Sequence, residues 1–305
     1  MTAGIERLEG VWTIVPTPFR PDGALDTDSL PTLSRFIADQ GVDGMTILGV
    51  LGEAGRLGDD ERDEVIAGVL ASAGDLPVCV GVSHAGTDRA VAFARQAEIA
   101  GAHSVMLAPP ALARPNDAAV IAHYRAVADA IALPVVVQDH PASSGVTMTV
   151  DVLATIAEAS PSCRVIKLED EPSPPKVGRL MAARTDLRVL GGLGAIMLLE
   201  ELRRGAAGTM TGFGFPELLV EIVARFRSGD EAAARATFHR TMPLIRFENQ
   251  PGISLAIRKH LYQRRGAIAT ARLRAPGGGL DPGTIADLDL ILESVGLADL
   301  VGAPG

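Results

Sequence analysis

Short apolar runs alternate with longer amphipathic stretches through the first 215 positions of the chain. The runs are rich in Val, Ile and Leu and lack polar alternation, which predicts strands buried on both faces. Each intervening stretch is long enough for a helix that crosses over to a parallel neighbour. The eight predicted strands are residues 11–16, 44–50, 77–83, 104–108, 134–138, 164–169, 187–192 and 208–213.

Helix signals fall between these strands. Acidic or polar residues predict helix starts at Asp59, Thr87 and Asn116, where the helix dipole favours them. Glycine pairs such as Gly205 and Gly208 mark the return from a helix to a strand. From Pro216 onward the pattern predicts only helices, running to Val301.

Eight strand and helix units favour a closed (β/α)8 TIM barrel of the α/β class with a C-terminal helical extension. We therefore expect a barrel at residues 1–215 and a helical domain at 216–305. A doubly wound open sheet is the alternative, and it calls for a glycine-rich phosphate turn after the first strand. The first strand is instead followed by Thr17-Pro18-Phe19, which has no such turn.

The composition of the chain limits the kind of ligand it is expected to bind. The net charge of -9 argues against a nucleic-acid binder, which normally presents a basic face, and favours a small metabolite. No apolar stretch has the length of a membrane span and the first ten residues do not resemble a signal peptide, so we expect no membrane contact and a cytoplasmic protein. Cys79 and Cys163 lack paired spacing and the six histidines lack ligand spacing, so neither a metal nor a cofactor is expected.

Lysine is the rarest basic residue here: only Lys167, Lys176 and Lys259 occur among 28 lysines and arginines. Lys167 lies in a β-rich run that ends in the acids Glu169 and Asp170. A neutral amine held in a low dielectric can attack a ketone and form a Schiff base, which a guanidinium cannot do. The alternative is a lysine that reaches out of the strand end to pair with these acids.

A TIM barrel keeps its reactive groups at the carboxyl ends of its strands. Lys167 belongs to that ring of strand ends, which favours the Schiff-base interpretation. The other predicted members are Thr17, Gly49, Val50, Leu51, Gly52, Glu53, Ser83, His84, Pro109, Pro110, Gln138, Asp139, His140, Leu168, Glu169, Asp170, Gly192, Leu193, Gly194, Thr211, Gly212 and Phe213.

Five motifs together resemble the dihydrodipicolinate synthase and N-acetylneuraminate lyase superfamily over nearly the whole chain. They are Val15-Pro16-Thr17-Pro18-Phe19, Gly49-x-x-Gly52-Glu53, Pro141 with Gly145, Ile166-Lys167, and Gly205-x-x-Gly208. The resemblance implies a class I aldolase or dehydratase, built as a barrel with C-terminal helices and assembled as a homotetramer or homodimer. It also implies that Lys167 is the Schiff-base lysine and that the substrate is a small 2-oxo acid.

The chain departs from the superfamily at residues that matter for chemistry. The carboxylate-binding loop, usually G-T-T-G-E, has Val50 and Leu51 in place of the two hydroxyls. Backbone N–H groups of that loop can still form an anion-binding nest. After the fifth strand, Gln138 stands at the tyrosine position and Ser143 at the arginine position of the superfamily pattern.

Aldol cleavage needs a group that removes the C4 hydroxyl proton, and an amide such as Gln138 cannot accept it. Dehydration instead needs a base for the C3 proton, because the imine acidifies C3. Three motifs are similar to the L-2-keto-3-deoxyarabonate dehydratase branch: Val137 to Ser143, Gly208-Thr209-Met210-Thr211-Gly212-x-Gly214-Phe215-Pro216, and Leu244-Ile245-x-x-Glu248-Asn249. Dehydration of a 2-keto-3-deoxy sugar acid is therefore the first hypothesis.

Two alternatives remain open. One is a pyruvate-dependent aldolase or synthase, and the other is a degraded barrel that only binds a 2-oxo acid. For the first hypothesis we expect Lys167, Gln138 and Glu169 to be catalytic. The expected substrate-binding residues are Gly49, Val50, Leu51, Gly52, Glu53, His140, Gly192 and Thr211. Structural roles are the alternative for Glu53, as a loop anchor, for Glu169, as an ion-pair partner, and for His140.

Overall fold

The computed structural model describes residues 4–112, 114 and 116–302 of the chain. Within these residues, eight parallel strands close into a barrel in which each strand pairs with the next and the eighth pairs with the first. The predicted (β/α)8 fold is confirmed. The strands are β1 (Gly10–Ile14), β2 (Gly44–Ile47), β3 (Val78–Gly81), β4 (Ser104–Leu107), β5 (Val135–Asp139), β6 (Val165–Leu168), β7 (Arg188–Gly191) and β8 (Gly208–Thr211).

Helices surround the barrel and continue beyond it. The three predicted helix starts are confirmed: α2 begins at Asp59, α3 begins at Thr87, and Asn116 caps α4 by accepting the N–H of Ala119. The helices are α1 (Ser29–Asp39), α2 (Asp59–Leu70), α3 (Thr87–Ala100), α4 (Asp117–Ala130), α5 (Pro141–Ser144), α6 (Val150–Ala159), α7 (Ser173–Ala183), α8 (Leu198–Arg203), α9 (Pro216–Arg227), α10 (Glu231–Glu248), α11 (Ser254–Arg264) and α12 (Pro282–Ser294).

Alternation along the strands divides the core into two layers. Side chains that point outward from the strands pack beneath the helices, as Ile166 and Leu168 do. Side chains that point inward fill the barrel, as Trp12, Val165 and Leu190 do. This period of two decides which residues of a strand end can reach the barrel mouth.

Several predicted strands run too far at their carboxyl ends. β2 ends at Ile47 rather than at residue 50, because Leu48 adopts a left-handed backbone with φ 56° and leaves the sheet. β8 ends at Thr211 rather than at residue 213. The residues beyond these ends form the loops at the barrel mouth.

The prediction of helices alone after residue 216 is wrong for residues 267–281, which contain no helix. This segment crosses the barrel face and is fixed by side-chain contacts instead: Arg274 donates hydrogen bonds to the Gly23 carbonyl and to Glu61. Pro276 and the glycines that follow it disfavour a helix there. The division of the chain at residue 216 stays a prediction.

Three further findings concern the described residues. No helix among them is long and apolar enough to cross a membrane. In the same part of the chain, no group of three His, Cys, Asp or Glu side chains is placed to hold a metal ion. Cys79 and Cys163 are both free and buried.

Candidate active site

Lys167 lies in β6 with its side chain inside the barrel, 4% exposed. Its strand neighbours Ile166 and Leu168 pack outward under the helices, and Val165 shares its inward face. In the sheet register Lys167 is paired with Gln138 of β5. Two inward-facing polar side chains therefore stand side by side at the barrel mouth, as the period of two requires.

One oxygen of Glu169 is the meeting point of the site. Its Oε2 lies 2.8 Å from Lys167 Nζ and accepts a hydrogen bond of 2.9 Å from Gln138 Nε2. His140 Nδ1 is 3.9 Å from the same oxygen. Burial acts to raise the pKa of Glu169, but Lys167, His140 and Gln138 together hold that pKa below its ordinary value. The carboxylate is thus charged and oriented by three neighbours.

Gly192 leaves the space that this carboxylate occupies. A Cβ on Gly192 would lie 2.2 Å from Glu169 Cγ and 2.8 Å from its Oε1. Any side chain at this position would therefore displace Glu169 from Lys167. The predicted contact of Gly192 with substrate stays a prediction, while its packing against Glu169 is visible.

Lys167, Gln138 and Glu169 line a cavity of about 220 Å³ at the barrel mouth. Most of the predicted site residues line it, whereas Gly52, Glu53 and Gly192 do not. The lining residues are Ile14, Gly49, Val50, Leu51, Met106, Gln138, His140, Lys167, Glu169, Leu193, Gly194, Thr211, Gly212, Asn249, Ser254 and Arg258. A second cavity of about 540 Å³ shares Gly49, Val50 and Gln138 with the first and includes Glu53 and His84.

The loop after β2 turns tightly over the first cavity. Gly52 N–H donates to the Gly49 carbonyl, and Thr17 Oγ1 donates to the Gly52 carbonyl at 2.6 Å. Among the described residues, the N–H groups of Val50 and Leu51 have no acceptor. Unpaired backbone N–H groups in a turn form a site for an anion such as a carboxylate.

Glu53 holds this loop against the C-terminal segment. Its backbone is left-handed at φ 54°, and Lys259 Nζ donates to Oε1 at 2.6 Å. Its Oε2 accepts from Arg56 Nη1 at 2.5 Å and from the backbone N–H of Arg274 at 3.0 Å. Both carboxylate oxygens are therefore engaged by the protein. This arrangement favours the anchoring role over substrate contact for Glu53.

All three lysines of the chain are buried and paired with acids. Lys176 lies between Asp139 and Asp170, with Nζ to carboxylate distances of 2.6 and 2.8 Å. Lys259 pairs with Glu53, and burial lowers the pKa of Lys259 to about 8 despite that carboxylate. Of the three, Lys167 is the one that lines the mouth cavity. Position, rather than rarity or burial, distinguishes it.

Both tyrosines of the chain are committed elsewhere. Tyr124 donates its hydroxyl to the Leu107 carbonyl, and Tyr262 donates to the Phe213 carbonyl. Burial raises the pKa of both phenols above the ordinary value. Neither hydroxyl lines the cavity beside Lys167. Gln138 thus takes the place beside the lysine that the superfamily pattern gives to a tyrosine.

The sequence pattern does not identify three polar residues of this cavity, Asn249, Ser254 and Arg258. They belong to the C-terminal helical region, far from Lys167 along the chain. Asn249 follows the last residue of α10, and it faces the barrel mouth. For Asn249 the sequence holds one signal, the third motif of the dehydratase branch, Leu244-Ile245-x-x-Glu248-Asn249.

The closed barrel, with a mouth cavity that holds Lys167, Glu169 and Gln138, places the chain in the TIM-barrel class. Within that class, the chain belongs to the dihydrodipicolinate synthetase family, whose model matches residues 7–294. The predicted superfamily is confirmed, as is the prediction of a lyase.

Similar proteins span nearly the full chain. An L-2-keto-3-deoxyarabonate dehydratase of Azospirillum brasilense is 37% identical over 290 residues, 92% of this chain and 93% of that protein. A 4-hydroxy-tetrahydrodipicolinate synthase of Acidothermus cellulolyticus is 32% identical over 276 residues, 89% of this chain and 85% of that protein. Dihydrodipicolinate synthase from Rhodopseudomonas palustris has a similar crystal structure, with a TM-score of 0.90, 36% identity, and coverage of 94% and 98% of the two chains.

Proposed function

We propose that this protein dehydrates a 2-keto-3-deoxy sugar acid similar to L-2-keto-3-deoxyarabonate, through a Schiff base on Lys167. The observation that carries the proposal is the contact of Glu169 with both Lys167 and Gln138 inside one cavity. In this arrangement Lys167 is the nucleophilic amine and Glu169 is the base. Gln138 places an amide where aldol cleavage needs a hydroxyl. The similarity to the Azospirillum brasilense dehydratase agrees with this choice.

The first step is imine formation. The neutral amine of Lys167 attacks the C2 carbonyl, a water molecule leaves, and a protonated imine joins C2 to Nζ. Glu169 lies 2.8 Å from Nζ, within reach of the protons that move during this step. The negative charge of Glu169 also stabilises the cationic imine.

The second step removes water from C3 and C4. The imine draws electrons from C3, so Glu169 takes a C3 proton and an enamine forms. The enamine electrons then expel the C4 hydroxyl, which leaves as water after it receives a proton from the acid form of Glu169 or from His140. Hydrolysis of the remaining imine releases the product and restores the Lys167 amine. For a five-carbon acid, this elimination leaves a C3=C4 double bond beside the C5 alcohol. Loss of a C5 proton and protonation of C3 shift the double bond to C4 and C5, and the resulting enol takes up a proton at C4 to become the aldehyde of 2-oxoglutarate semialdehyde.

Gln138 favours dehydration over aldol cleavage. Its amide donates to Glu169 and is not a base, so it orients the carboxylate without taking a C4 hydroxyl proton. Both tyrosine hydroxyls donate to backbone carbonyls outside the cavity. Glu169 can serve C3 and the departing C4 hydroxyl in turn, which is what elimination requires.

A pyruvate-dependent synthase or aldolase is the second candidate. The Acidothermus cellulolyticus synthase, 32% identical to this chain, favours it. Under this alternative Lys167 forms the same imine, but C3 of the enamine attacks an aldehyde. A barrel that only binds a 2-oxo acid is the remaining alternative, because Val50 and Leu51 replace the hydroxyls of the family loop.

Borohydride trapping tests the imine. The protein is incubated with pyruvate and borohydride, and intact mass with peptide mapping locates the adduct. We expect one adduct, on Lys167. Its absence would exclude both enzymatic candidates.

Product analysis then divides the two enzymes. Incubation with L-2-keto-3-deoxyarabonate is expected to yield 2-oxoglutarate semialdehyde, identified by the mass of the product, which equals that of the substrate minus one water. Release of pyruvate instead would favour aldol cleavage.

The proposal also includes a role in carbohydrate metabolism, a cytoplasmic location and assembly as a homodimer or homotetramer. Family resemblance supports the assembly, although one relative of known structure, 27% identical, is a monomeric dihydrodipicolinate synthase variant. Light scattering should give two or four times the chain mass of 31.7 kDa. A mass equal to one chain would refute the assembly without affecting the chemistry.

A further inference from the structure

Arg258 brings a second cationic group into the cavity of Lys167. It lies on α11, is 5% exposed, and lines the cavity together with Leu51 and Gly212. A buried arginine is normally paired on all sides, because unpaired guanidinium N–H groups are costly away from water. Which of its N–H groups are paired therefore indicates what it can bind.

One edge of the guanidinium is fixed by the protein. Nε donates to Glu248 Oε2 at 3.3 Å, and Nη2 donates to Asn249 Oδ1 at 2.7 Å. These two atoms form the edge of the fork next to the side-chain stem. Among the described residues Nη1 has no acceptor. The outer end of the fork, formed by Nη1 and the second hydrogen of Nη2, is left for a ligand.

The two anchoring residues are themselves held. Asn249 donates to the Ile245 carbonyl at 2.8 Å and packs against Gly194, where a Cβ would lie 1.9 Å from its amide nitrogen. Glu248 accepts the N–H of Gly214 through both oxygens, at 3.2 and 3.1 Å. The guanidinium is therefore oriented before any ligand arrives, which reduces the entropy lost on binding.

Arg258 lies next to the loop that has lost its hydroxyl groups. A Cβ on Gly212 would be 2.6 Å from Leu51 Cδ1 and 3.5 Å from Arg258 Cδ, so the two side chains flank the same glycine. Leu51 occupies a position where the family pattern has a hydroxyl for the substrate carboxylate. The cavity gains a guanidinium beside the place where it lacks that donor.

We propose that Arg258 binds the carboxylate of the 2-oxo acid through the outer end of its guanidinium, together with the free N–H groups of Val50 and Leu51. Two parallel N–H groups match the two oxygens of a carboxylate, and an arginine makes this bidentate contact better than a lysine. The inference rests on the proposed function, since it assigns the C1 group of the substrate whose C2 reacts with Lys167.

Pyruvate is the sharpest probe, because it has the carboxylate and ketone without a sugar tail. Arg258→Met removes the fork and keeps much of the stem. We expect the pyruvate concentration that half-saturates borohydride trapping to rise about 10- to 100-fold, the usual effect of losing a charged hydrogen bond. Trapping of pyruvamide, which has no carboxylate, should stay within twofold of the wild type.

Two further variants guard against a folding defect, because Arg258→Met leaves Glu248 buried without its cation. The double variant Arg258→Met, Glu248→Gln removes that charge and should show the same selective loss for pyruvate. Arg258→Lys keeps the charge without the fork and should weaken pyruvate less than Arg258→Met. Thermal unfolding identifies any variant whose fold is impaired.

The outcomes separate this inference from the proposed function. Equal effects on pyruvate and pyruvamide, or unchanged pyruvate trapping, would overturn the carboxylate assignment. A defect limited to L-2-keto-3-deoxyarabonate would also overturn it, by placing Arg258 at the sugar tail. Oxamate, which resembles pyruvate but forms no imine, gives an independent readout by ligand-observed NMR. If the wild type binds oxamate, Arg258→Met does not, and no protein traps pyruvate, the imine proposal fails while the carboxylate site stands.

Discussion

Replacing Glu169 by glutamine removes the charge at the centre of the site while keeping the shape of the side chain. Glu169 Oε2 contacts Lys167 Nζ at 2.8 Å and Gln138 Nε2 at 2.9 Å. An amide at position 169 is not a base for the C3 proton. Loss of a positioned general base usually costs about 10²- to 10⁴-fold in rate.

The same change has a cost in stability. The side chains of Lys167 and Glu169 are 5% and 9% exposed, so water compensates little for a lost charge. Removing one partner of such a buried pair costs about 3–5 kcal/mol. Glutamine can still accept a hydrogen bond from the lysine, so we expect the lower end of that range and a Tm reduced by roughly 5–10 °C.

Proton exchange measures the base step without any sugar substrate. In D₂O, the wild-type enzyme should exchange the methyl protons of pyruvate for deuterium through the enamine. The loss of the methyl signal in proton NMR spectra measures the rate of this exchange. Glu169→Gln should still give an adduct with borohydride but exchange at least 100-fold more slowly. Glu171→Gln, the same substitution at an exposed position of the same loop, is the matched control. Exchange at the wild-type rate in Glu169→Gln would refute the assignment and direct attention to His140.

Three further predictions follow from buried charges. Lys167→Arg keeps the positive charge but should abolish borohydride trapping, and any remaining adduct on the protein would contradict the assigned nucleophile. Lys259→Met leaves the buried carboxylate of Glu53 with Arg56 as its one remaining cationic side-chain partner among the described residues, so we expect the free energy of unfolding to fall by about 3 kcal/mol and pyruvate to half-saturate at a higher concentration; unchanged pyruvate saturation would show that the loop keeps its shape without the Lys259 contact. Burial raises the pKa of Glu201 to about 7 although Ser173 donates a hydrogen bond to it. An acid whose pKa is raised by folding stabilises the fold fully below about pH 4.5, and that contribution, on the order of 3 kcal/mol, is lost as the pH rises to about 7. Glu201→Gln should therefore flatten the dependence of Tm on pH between 5 and 8, and parallel curves for the two proteins would refute this.

Much of the catalytic arrangement could be predicted from local sequence. The alternation of side chains along β6 places Lys167 on one face with Val165, and Glu169 follows two residues later on the same side. Because the strands of a closed parallel barrel all end at one mouth, the end of β5 lies next to the end of β6, which brings Gln138 beside Lys167. These are consequences of strand geometry, so a sequence pattern is enough to predict them.

The role of Glu53 could not be predicted from local sequence, because it depends on contacts between its loop and distant parts of the chain. The sequence left the role of Glu53 open, and its two oxygens turn out to be engaged by Lys259, Arg56 and the backbone of Arg274. Lys259 and Arg274 lie more than 200 positions further along the chain. No local period links them to the loop, because their contacts arise from the packing of α11 and the following segment over the barrel face.

By itself, the sequence determined the eight strand and helix units, the barrel, and the position of an inward-facing lysine with an acid two residues later. These features could be predicted because strands and helices have short-range periodicities, and each segment shows its own periodicity independently of the rest of the chain. Only the tertiary structure decided that Lys259 holds Glu53 and that Arg258 joins Lys167 at the mouth cavity. Those outcomes depend on how distant segments pack together, and packing is set by the whole chain rather than by any one segment of it.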